Sequence, residues 1–179
     1  MEAVLCVVLL AALVIVQGQV PALWRCPDVP VQGNFSLTSY LGTWYEYERF
    51  FAVYEIGAEC AQANYSMKAN GHVRVLNSGT GRSIEGDAYA PDPSEPAKLL
   101  VKFFWWQRPG NYWVVETDYS NYSVVYSCVD LYFMHLDTAW LLTRTRDGIP
   151  DDMKNDIYGR LTAYGINTSN FKKTKQTGC

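Results

Sequence analysis

The chain has 179 residues, a length typical of one domain. Apolar residues make up 49% and aromatic residues 15%, which is too apolar for a disordered chain and too aromatic for an ordinary helical bundle. The formal charge of -3 comes from interspersed acidic and basic residues, so we expect no basic face and no nucleic-acid partner.

The N-terminal segment predicts export. Residues 3–16 form a continuous apolar run that is shorter than the roughly 18 residues of a membrane span but typical of a signal-peptide core. Val16 and Gly18 give a cleavage pattern. We therefore expect a signal peptide over residues 1–18 and a single mature domain over residues 19–179 of a secreted, extracellular protein. The alternative is an uncleaved N-terminal anchor.

Cysteine usage agrees with export. Removal of the signal peptide takes away Cys6 and leaves four cysteines, an even number that implies a disulfide framework but allows three pairings. The four are too widely spaced for a zinc site, so we expect no metal. They are Cys26, Cys60, Cys128 and Cys179.

Four N-x-S/T motifs also suit the secretory route. We expect Asn64 and one other asparagine to carry a glycan. The four candidate acceptors are Asn34, Asn64, Asn121 and Asn167.

Short strand-like runs alternate with turn signals along most of the chain. Asn70-Gly71 is a two-residue hairpin signal, and the proline-rich residues 91–96 interrupt the pattern. Eight strands are predicted, at residues 44–51, 60–67, 72–77, 83–90, 98–106, 112–117, 122–129 and 136–145. Because their connections are mostly short, they predict an up-and-down barrel.

The last part of the chain changes from strand to helix spacing. Pro150 suits the first position of a helix and Gly165 suits its stop. The apolar stripe between them is Met153, Ile157, Leu161 and Tyr164. The predicted fold is therefore all-β, an eight-stranded antiparallel up-and-down β-barrel with a C-terminal α-helix packed outside.

Three short motifs resemble the signatures of the lipocalin family. Gly42-Thr43-Trp44 lies at the start of the first strand, Thr117-Asp118-Tyr119 lies in the loop between two neighbouring strands, and Arg144 ends the last strand. A lone G-x-W means little, but the three motifs in this order, with a C-terminal helix and an exported chain, are specific. The resemblance covers the chain from Cys26 to Cys179.

The resemblance implies a disulfide pairing and a closed barrel end. The implied pairs are Cys26–Cys128 and Cys60–Cys179, and each closes a loop of about 100 residues, which could stabilise the fold by around 4 kcal/mol. The guanidinium of Arg144 is expected to stack on Trp44 and close the narrow end. We treat the signature residues as structural and not as ligand contacts.

Alternation along the strands sorts side chains into an inner and an outer face. A glycan on Asn64 must point outward, which turns Tyr65 inward. The lysines of the fifth strand mark its outer face and place Phe103 and Trp105 inside. The ligand contacts implied by the resemblance are Tyr65, Asn77, Phe103, Tyr112 and Trp140, and alternation adds Trp105.

These side chains would form an apolar wall with a few phenol and amide groups. Such a wall suits a hydrophobic ligand with one or two oxygens, for example a sterol, a fatty acid or a retinoid. We expect a secreted carrier of such a ligand, with no cofactor other than a bound lipid or pigment, as a monomer or weak oligomer. The alternative binding protein is a chromoprotein that holds a bilin or a carotenoid.

Enzyme activity is not expected. His72 is predicted on the surface and His135 in a loop with a solvent partner, and hydrolase, zinc-protease and phosphate-loop motifs are absent from the sequence. A thiol-dependent lipid isomerase is the alternative from another class, and it requires one of the disulfides to be missing.

A final group of aromatic residues is predicted outside the cup. Phe104 and Trp106 fall on the outer face, and the aromatic residues of the segment 50–54 lead into the loop near its mouth. We hypothesise that they touch lipid surfaces transiently, or that they bind a receptor while the cup stays empty.

Overall fold

The computed structural model describes residues 20–52 and 57–179, and the expected signal peptide lies outside these ranges. Its strands in chain order are β1 Val20–Leu23, β2 Gly42–Arg49, β3 Gln62–Met67, β4 Val73–Gly79, β5 Arg82–Tyr89, β6 Lys98–Lys102, β7 Gly110–Thr117, β8 Tyr122–Leu131, β9 Met134–Thr143 and β10 Lys172–Lys173. Its α-helices are α1 Leu37–Tyr40 and α2 Asp151–Ala163, and a 3-10 turn covers Thr168–Asn170.

Strands β2 to β9 form the barrel. Each is antiparallel to the next along the chain, and β9 pairs back onto β2, so that eight strands of the described residues close on themselves. Closure removes the sheet edges and leaves an enclosed interior. β1 extends the sheet beside β9, and β10 extends it beside β2. The predicted all-β barrel is confirmed.

Helix α2 packs on the outside of the barrel, as predicted. Ile157 and Leu161 are fully buried against the outer face, where they join a core with Tyr126 and Leu141. Pro150 precedes the helix, because its ψ of 149° is extended, so its prediction as the first helical residue is wrong. Within the described residues, no helix is both long and apolar enough to cross a membrane.

The short helix α1 was missed by the sequence analysis. The Ser36 hydroxyl oxygen accepts a hydrogen bond from the backbone N–H of Ser39 and caps the helix. Four residues are too few to show a helical period, so only the folded chain reveals this element. It delivers Tyr40, which is 1% exposed, into the barrel interior.

The fifth predicted strand ends early. β6 stops at Lys102, and residues 103–106 form bends and turns. The side-chain oxygen of Gln107 accepts the backbone N–H of Phe103, and the Gln107 N–H donates to the Phe104 carbonyl, which closes a turn there. Alternation therefore fails beyond Phe103. Trp105 is 88% exposed instead of facing the interior, so its predicted place in the cup is wrong.

The last strand begins earlier than predicted, which corrects the environment of His135. This residue lies inside β9 and is buried, where β1 runs alongside it. Its ring Nδ1 is 3.0 Å from the Trp24 carbonyl oxygen. A loop position with a solvent partner was therefore the wrong prediction, because the N-terminal strand was not anticipated.

Both implied disulfides are present. Cys26–Cys128 joins the N-terminal segment to β8 with Cα atoms 6.0 Å apart, and Cys60–Cys179 joins the chain before β3 to the C-terminus with Cα atoms 5.6 Å apart. The four cysteines of the described residues are thus all paired. The thiol-isomerase alternative has no free thiol among them.

Candidate ligand-binding site

One end of the barrel is closed by Arg144, and we call it the closed end. The guanidinium carbon lies 3.7 Å from the centre of the Trp44 ring. Its nitrogens donate to the carbonyls of Thr43 at 2.8 Å, Tyr119 at 2.9 Å and Leu41 at 3.0 Å. The expected stacking is confirmed, and the backbone carbonyls add a second set of contacts that hold the cation in place.

The other signature residues shape the chain around this arginine. Gly42 has a φ of +95°, and a side chain there would meet the Arg144 guanidinium at 3.4 Å. The Asp118 carboxylate accepts the backbone N–H groups of Asn121 and Tyr122 at 2.7 and 3.0 Å. Burial alone would raise the pKa of Asp118, but these hydrogen bonds hold it below its ordinary value. The turn thereby presents the Tyr119 carbonyl to the arginine.

A chain of hydroxyl groups lies inside the barrel. Tyr65 and Tyr112 share a hydrogen bond of 2.7 Å, Tyr112 and Tyr40 one of 3.0 Å, and Tyr40 and Ser123 one of 3.0 Å. Three hydrogen bonds use three of the four hydroxyl hydrogens, so one hydroxyl of the chain keeps a hydrogen to donate. This polar chain lies among mainly apolar side chains of the inner core.

Burial keeps these phenols neutral. It raises the pKa of Tyr40 to about 12, although hydrogen bonds from Ser123 and Tyr112 lower it in part. Burial also raises the pKa of Tyr65 and of Tyr112 well above the ordinary value. The three side chains therefore act as hydrogen-bonding groups, and they are not poised as acids or bases near neutral pH.

An apolar cavity lies beside the hydroxyl chain. It is lined by Leu37, Tyr40, Tyr65, Val73, Val75, Ala88, Leu99, Val101 and Tyr112. Its volume is about 10 Å³. That is roughly the space of one water molecule, whereas small-molecule sites usually measure about 300 Å³ or more. In this conformation the tyrosine rings fill the inner part of the barrel.

Four of the predicted contact residues lie in or beside this interior. Tyr65 and Tyr112 line the cavity, and Phe103 and Trp140 pack against the same inner core. The ring of Phe103 lies over Gly86, where a side chain would approach it to 2.8 Å. Only glycine therefore leaves room for Phe103 to turn into the barrel.

Asn77, the fifth predicted contact, lies on the inner face of the barrel but at a distance from the cavity. It is half-buried and pairs with Ala63 across the β3–β4 ladder, so it shares the inner face of β4 with the cavity-lining Val73 and Val75. It lies outside the cavity wall itself.

Sequence reasoning missed two features of the interior. Tyr40 could not be found because α1 was not predicted. The buried hydroxyl of Thr138 has no hydrogen-bond partner among residues 20–52 and 57–179, and it shares the inner face of β9 with Trp140 and Leu142. Alternation places Thr138 inside, but only the packed structure reveals that its oxygen is unsatisfied.

The predicted glycan acceptors have different surroundings. Asn34, Asn121 and Asn167 are exposed. Asn64 is half-buried on the outer face of β3, where its amide nitrogen donates to the Thr43 hydroxyl at 2.9 Å. Glycosylation at each position stays a prediction.

Comparison with protein families identifies the fold. The family model described as a lipocalin-like domain matches residues 35–176. The chain belongs to the lipocalin family. Lipocalins bind small hydrophobic ligands inside the barrel and are mainly carriers, so family membership supports a small-ligand carrier.

Several lipocalins are similar to this one over most of their length. Apolipoprotein D of Bos taurus is 42% identical over 169 residues, which cover 91% of this chain and 88% of that protein. The Lazarillo protein of Schistocerca americana is 32% identical and covers 85% and 75%. The family resemblance predicted from the sequence motifs is thereby confirmed.

Solved lipocalin structures superpose on this chain. Insecticyanin from the tobacco hornworm Manduca sexta has a TM-score of 0.75 at 26% identity, covering 90% of this chain and 91% of its own. Lobster apocrustacyanin A1 has a TM-score of 0.75 at 24% identity and covers 88% and 92%, a likeness that bears on the fold alone.

Proposed function

We propose that this lipocalin is a secreted carrier of a small hydrophobic molecule with one or two oxygen atoms, such as a sterol, a fatty acid or a retinoid-like compound. The observation that carries the proposal is the hydroxyl chain from Tyr65 to Ser123, set in an apolar interior. An oxygen on the ligand would meet the remaining hydroxyl hydrogen, and the hydrocarbon part would lie against the aliphatic wall.

Because the cavity is small, a ligand could enter only if side chains of the interior move. A lipid needs far more than the available 10 Å³, so the rings of Tyr65 and Tyr112 would have to rotate away from each other as it binds. Each hydrogen bond broken would cost about 1 kcal/mol net, and a ligand oxygen could replace it while a hydrocarbon could not. The interior would therefore select ligands that carry an oxygen.

Thr138 offers a second polar contact. Its hydroxyl is buried on the inner face without a partner among the described residues, and β9 begins at the opposite end from Arg144. A ligand with a second oxygen would satisfy it, which favours molecules with polar atoms at two points along their length.

The decisive experiment compares a fatty alcohol with the alkane of equal chain length. Both displace a hydrophobic fluorescent dye from the purified protein and from the Tyr112→Phe variant. We expect the variant to weaken binding of the alcohol about tenfold, or about 1.4 kcal/mol, and to leave the alkane within twofold. Equal weakening of both ligands would contradict a polar role for the phenol chain.

The identity of a natural ligand is approached separately. Organic extraction of the protein purified from its producing cells, followed by mass spectrometry, should yield an oxygen-bearing lipid. The second candidate is a chromoprotein, and the likeness to insecticyanin at 26% identity is compatible with it. Visible absorption by the purified protein, lost on extraction, would favour the pigment over a colourless lipid.

Secretion and glycosylation have their own test. Two disulfides are consistent with an oxidising, extracellular environment. We expect the mature chain to begin near Gln19 and to lose mass when treated with a glycosidase. A secreted form that retains residues 1–18 would contradict cleavage, and an unchanged mass would contradict glycosylation.

A further inference from the structure

The end of the barrel opposite Arg144 carries most of the exposed apolar side chains. Because the strands alternate in direction, the β2–β3, β4–β5, β6–β7 and β8–β9 connections all lie at this end, which we call the rim end. β1 also reaches it, since the Trp24 N–H donates to the Phe133 carbonyl at 3.0 Å. We define the aromatic rim as Trp24, Phe51, Trp105, Trp106, Tyr132 and Phe133.

The rim is unusually exposed for large apolar residues. Trp24 is 78% exposed, Trp105 is 88% exposed and Tyr132 is fully exposed. Of the large exposed hydrophobic side chains in the described part of the chain, Met67 is the one at the closed end. Large apolar side chains that are exposed together at one end of a soluble domain commonly mark a contact surface.

Beyond Phe103, the three aromatic rings of the β6–β7 turn contact one another. Phe104 and Trp106 stack with centroids 4.7 Å apart, and Trp105 meets Trp106 edge-on at 5.8 Å. The turn is held by the hydrogen bond between Phe103 and Gln107. These indoles are thus presented outward on a defined turn.

The rim end is also basic, although the whole chain has a formal charge of -3. Arg25, Lys102 and Arg108 flank the aromatic rim, and no carboxylate within residues 20–52 and 57–179 forms an ion pair with them. Glu59 pairs with Lys175 at 2.8 Å, whereas Asp130 accepts the Cys26 N–H at 2.7 Å and is a carboxylate that offsets only part of the positive charge.

The exposed rings and the cations of the rim end together favour a membrane as the binding partner. Tryptophan and tyrosine rings settle at the headgroup level of a bilayer, and neighbouring cations attract anionic lipids. A second copy docked head to head would instead bring the unpaired cations of both rims together, which opposes association. Two predicted glycan acceptors, Asn34 and Asn121, lie at the closed end, so their glycans would leave the rim uncovered.

We propose that the aromatic rim docks on the surface of anionic phospholipid membranes, with the mouth of the barrel facing the bilayer. The evidence for docking comes from the rim end alone. The further idea that docking serves to load or release a ligand rests on the function proposed above. In that orientation a hydrophobic ligand passes between membrane and barrel without crossing water.

The test measures co-sedimentation of the full secreted protein with vesicles of phosphatidylcholine and phosphatidylserine. The double variant Trp105→Ser/Trp106→Ser should bind the vesicles at least tenfold more weakly, because it removes two rings that would enter the bilayer surface. Since both rings are exposed, their removal should leave the fold intact. The matched control is Met67→Ser, an exposed apolar residue at the closed end, which should bind as the parent does.

The cations are tested by Lys102→Gln and Arg108→Gln. Each should weaken binding to the anionic vesicles about fivefold and leave binding to pure phosphatidylcholine vesicles unchanged. Parent-like vesicle binding by the double tryptophan variant would overturn the proposal. So would a dimer of the parent that dissociates in that variant, because a second copy would then be the occupant.

Ligand binding is measured in the absence of vesicles, by displacement of the fluorescent dye. A protein that binds vesicles through the rim but takes up no hydrophobic ligand would support the docking and refute the carrier function. A protein that binds a ligand but no vesicles would refute the docking alone.

Discussion

The two ends of the barrel combine tryptophan and arginine in opposite ways. At the closed end Trp44 is fully buried, and Arg144 stacks on it while donating to backbone carbonyls. At the rim end Trp24 and Trp106 face solvent, each close in sequence to an arginine without an ion-pair partner among the described residues. The neighbours of these side chains therefore decide whether they stabilise the fold or remain available for contact.

The largest effect is expected at the closed end. Arg144→Ala removes the cation from the Trp44 ring and leaves without a hydrogen-bond donor the backbone carbonyls that Arg144 contacts. We therefore expect the free energy of unfolding to fall by about 3–5 kcal/mol. Urea unfolding followed by tryptophan fluorescence measures it. Arg144→Lys should recover only part of the loss, since an ammonium cannot match the planar contacts. A loss below about 1 kcal/mol for Arg144→Ala would contradict this role.

The buried phenols predict a loss of stability in alkali. A raised pKa in the folded state means that unfolding releases protons, so the contribution of Tyr40 is complete below about pH 10 and is lost between about pH 10 and pH 12. Two pH units correspond to about 2.7 kcal/mol at most for this group. Urea unfolding across this range measures the decline, which should be smaller in Tyr40→Phe. An identical decline in the variant would refute the assignment.

A smaller effect is expected at Gly86, which lies beneath the Phe103 ring. Gly86→Ala places a methyl group 2.8 Å from the Phe103 ring and 2.9 Å from the Lys102 carbonyl oxygen, and should cost about 1–3 kcal/mol. Gly110→Ala is the matched control, because its nearest neighbour would be 3.9 Å away. Thermal unfolding of the two variants compares them, and equal midpoints would contradict the close packing.

The smallest effect should come from the rim itself. Trp24→Ser removes an indole that is 78% exposed, so we expect a change in the free energy of unfolding within about 0.5 kcal/mol. The same urea experiment on Trp44→Ala should show a loss of about 3–5 kcal/mol. Similar losses for the two tryptophans would abolish the distinction between the ends.

Local pattern predicted most of the barrel but misjudged particular segments. Alternation placed Tyr65, Leu99 and Phe103 inside correctly, because a strand with one buried face repeats every two residues. The rule failed at Trp105, where the Gln107 side chain ends the strand, since alternation says nothing about where pairing stops. His135 was misplaced because its burial depends on β1, which lies more than a hundred residues away along the chain.

The candidate site was predictable in composition but not in shape. Tyr65 and Tyr112 were anticipated as polar groups in the cup, whereas Tyr40 and the hydroxyl chain were not. Three disulfide pairings remained open on the cysteines alone, and the family resemblance selected the pair that the structure contains.

The sequence by itself determined the strand period, the external helix and the family signatures, because these depend on spacings of a few residues. Only the tertiary structure decided that three tyrosines meet within the barrel, that Thr138 is left without a partner in the described residues, and that exposed indoles gather at one end. Each of these features depends on segments far apart in the chain, which come together only when the sheet closes.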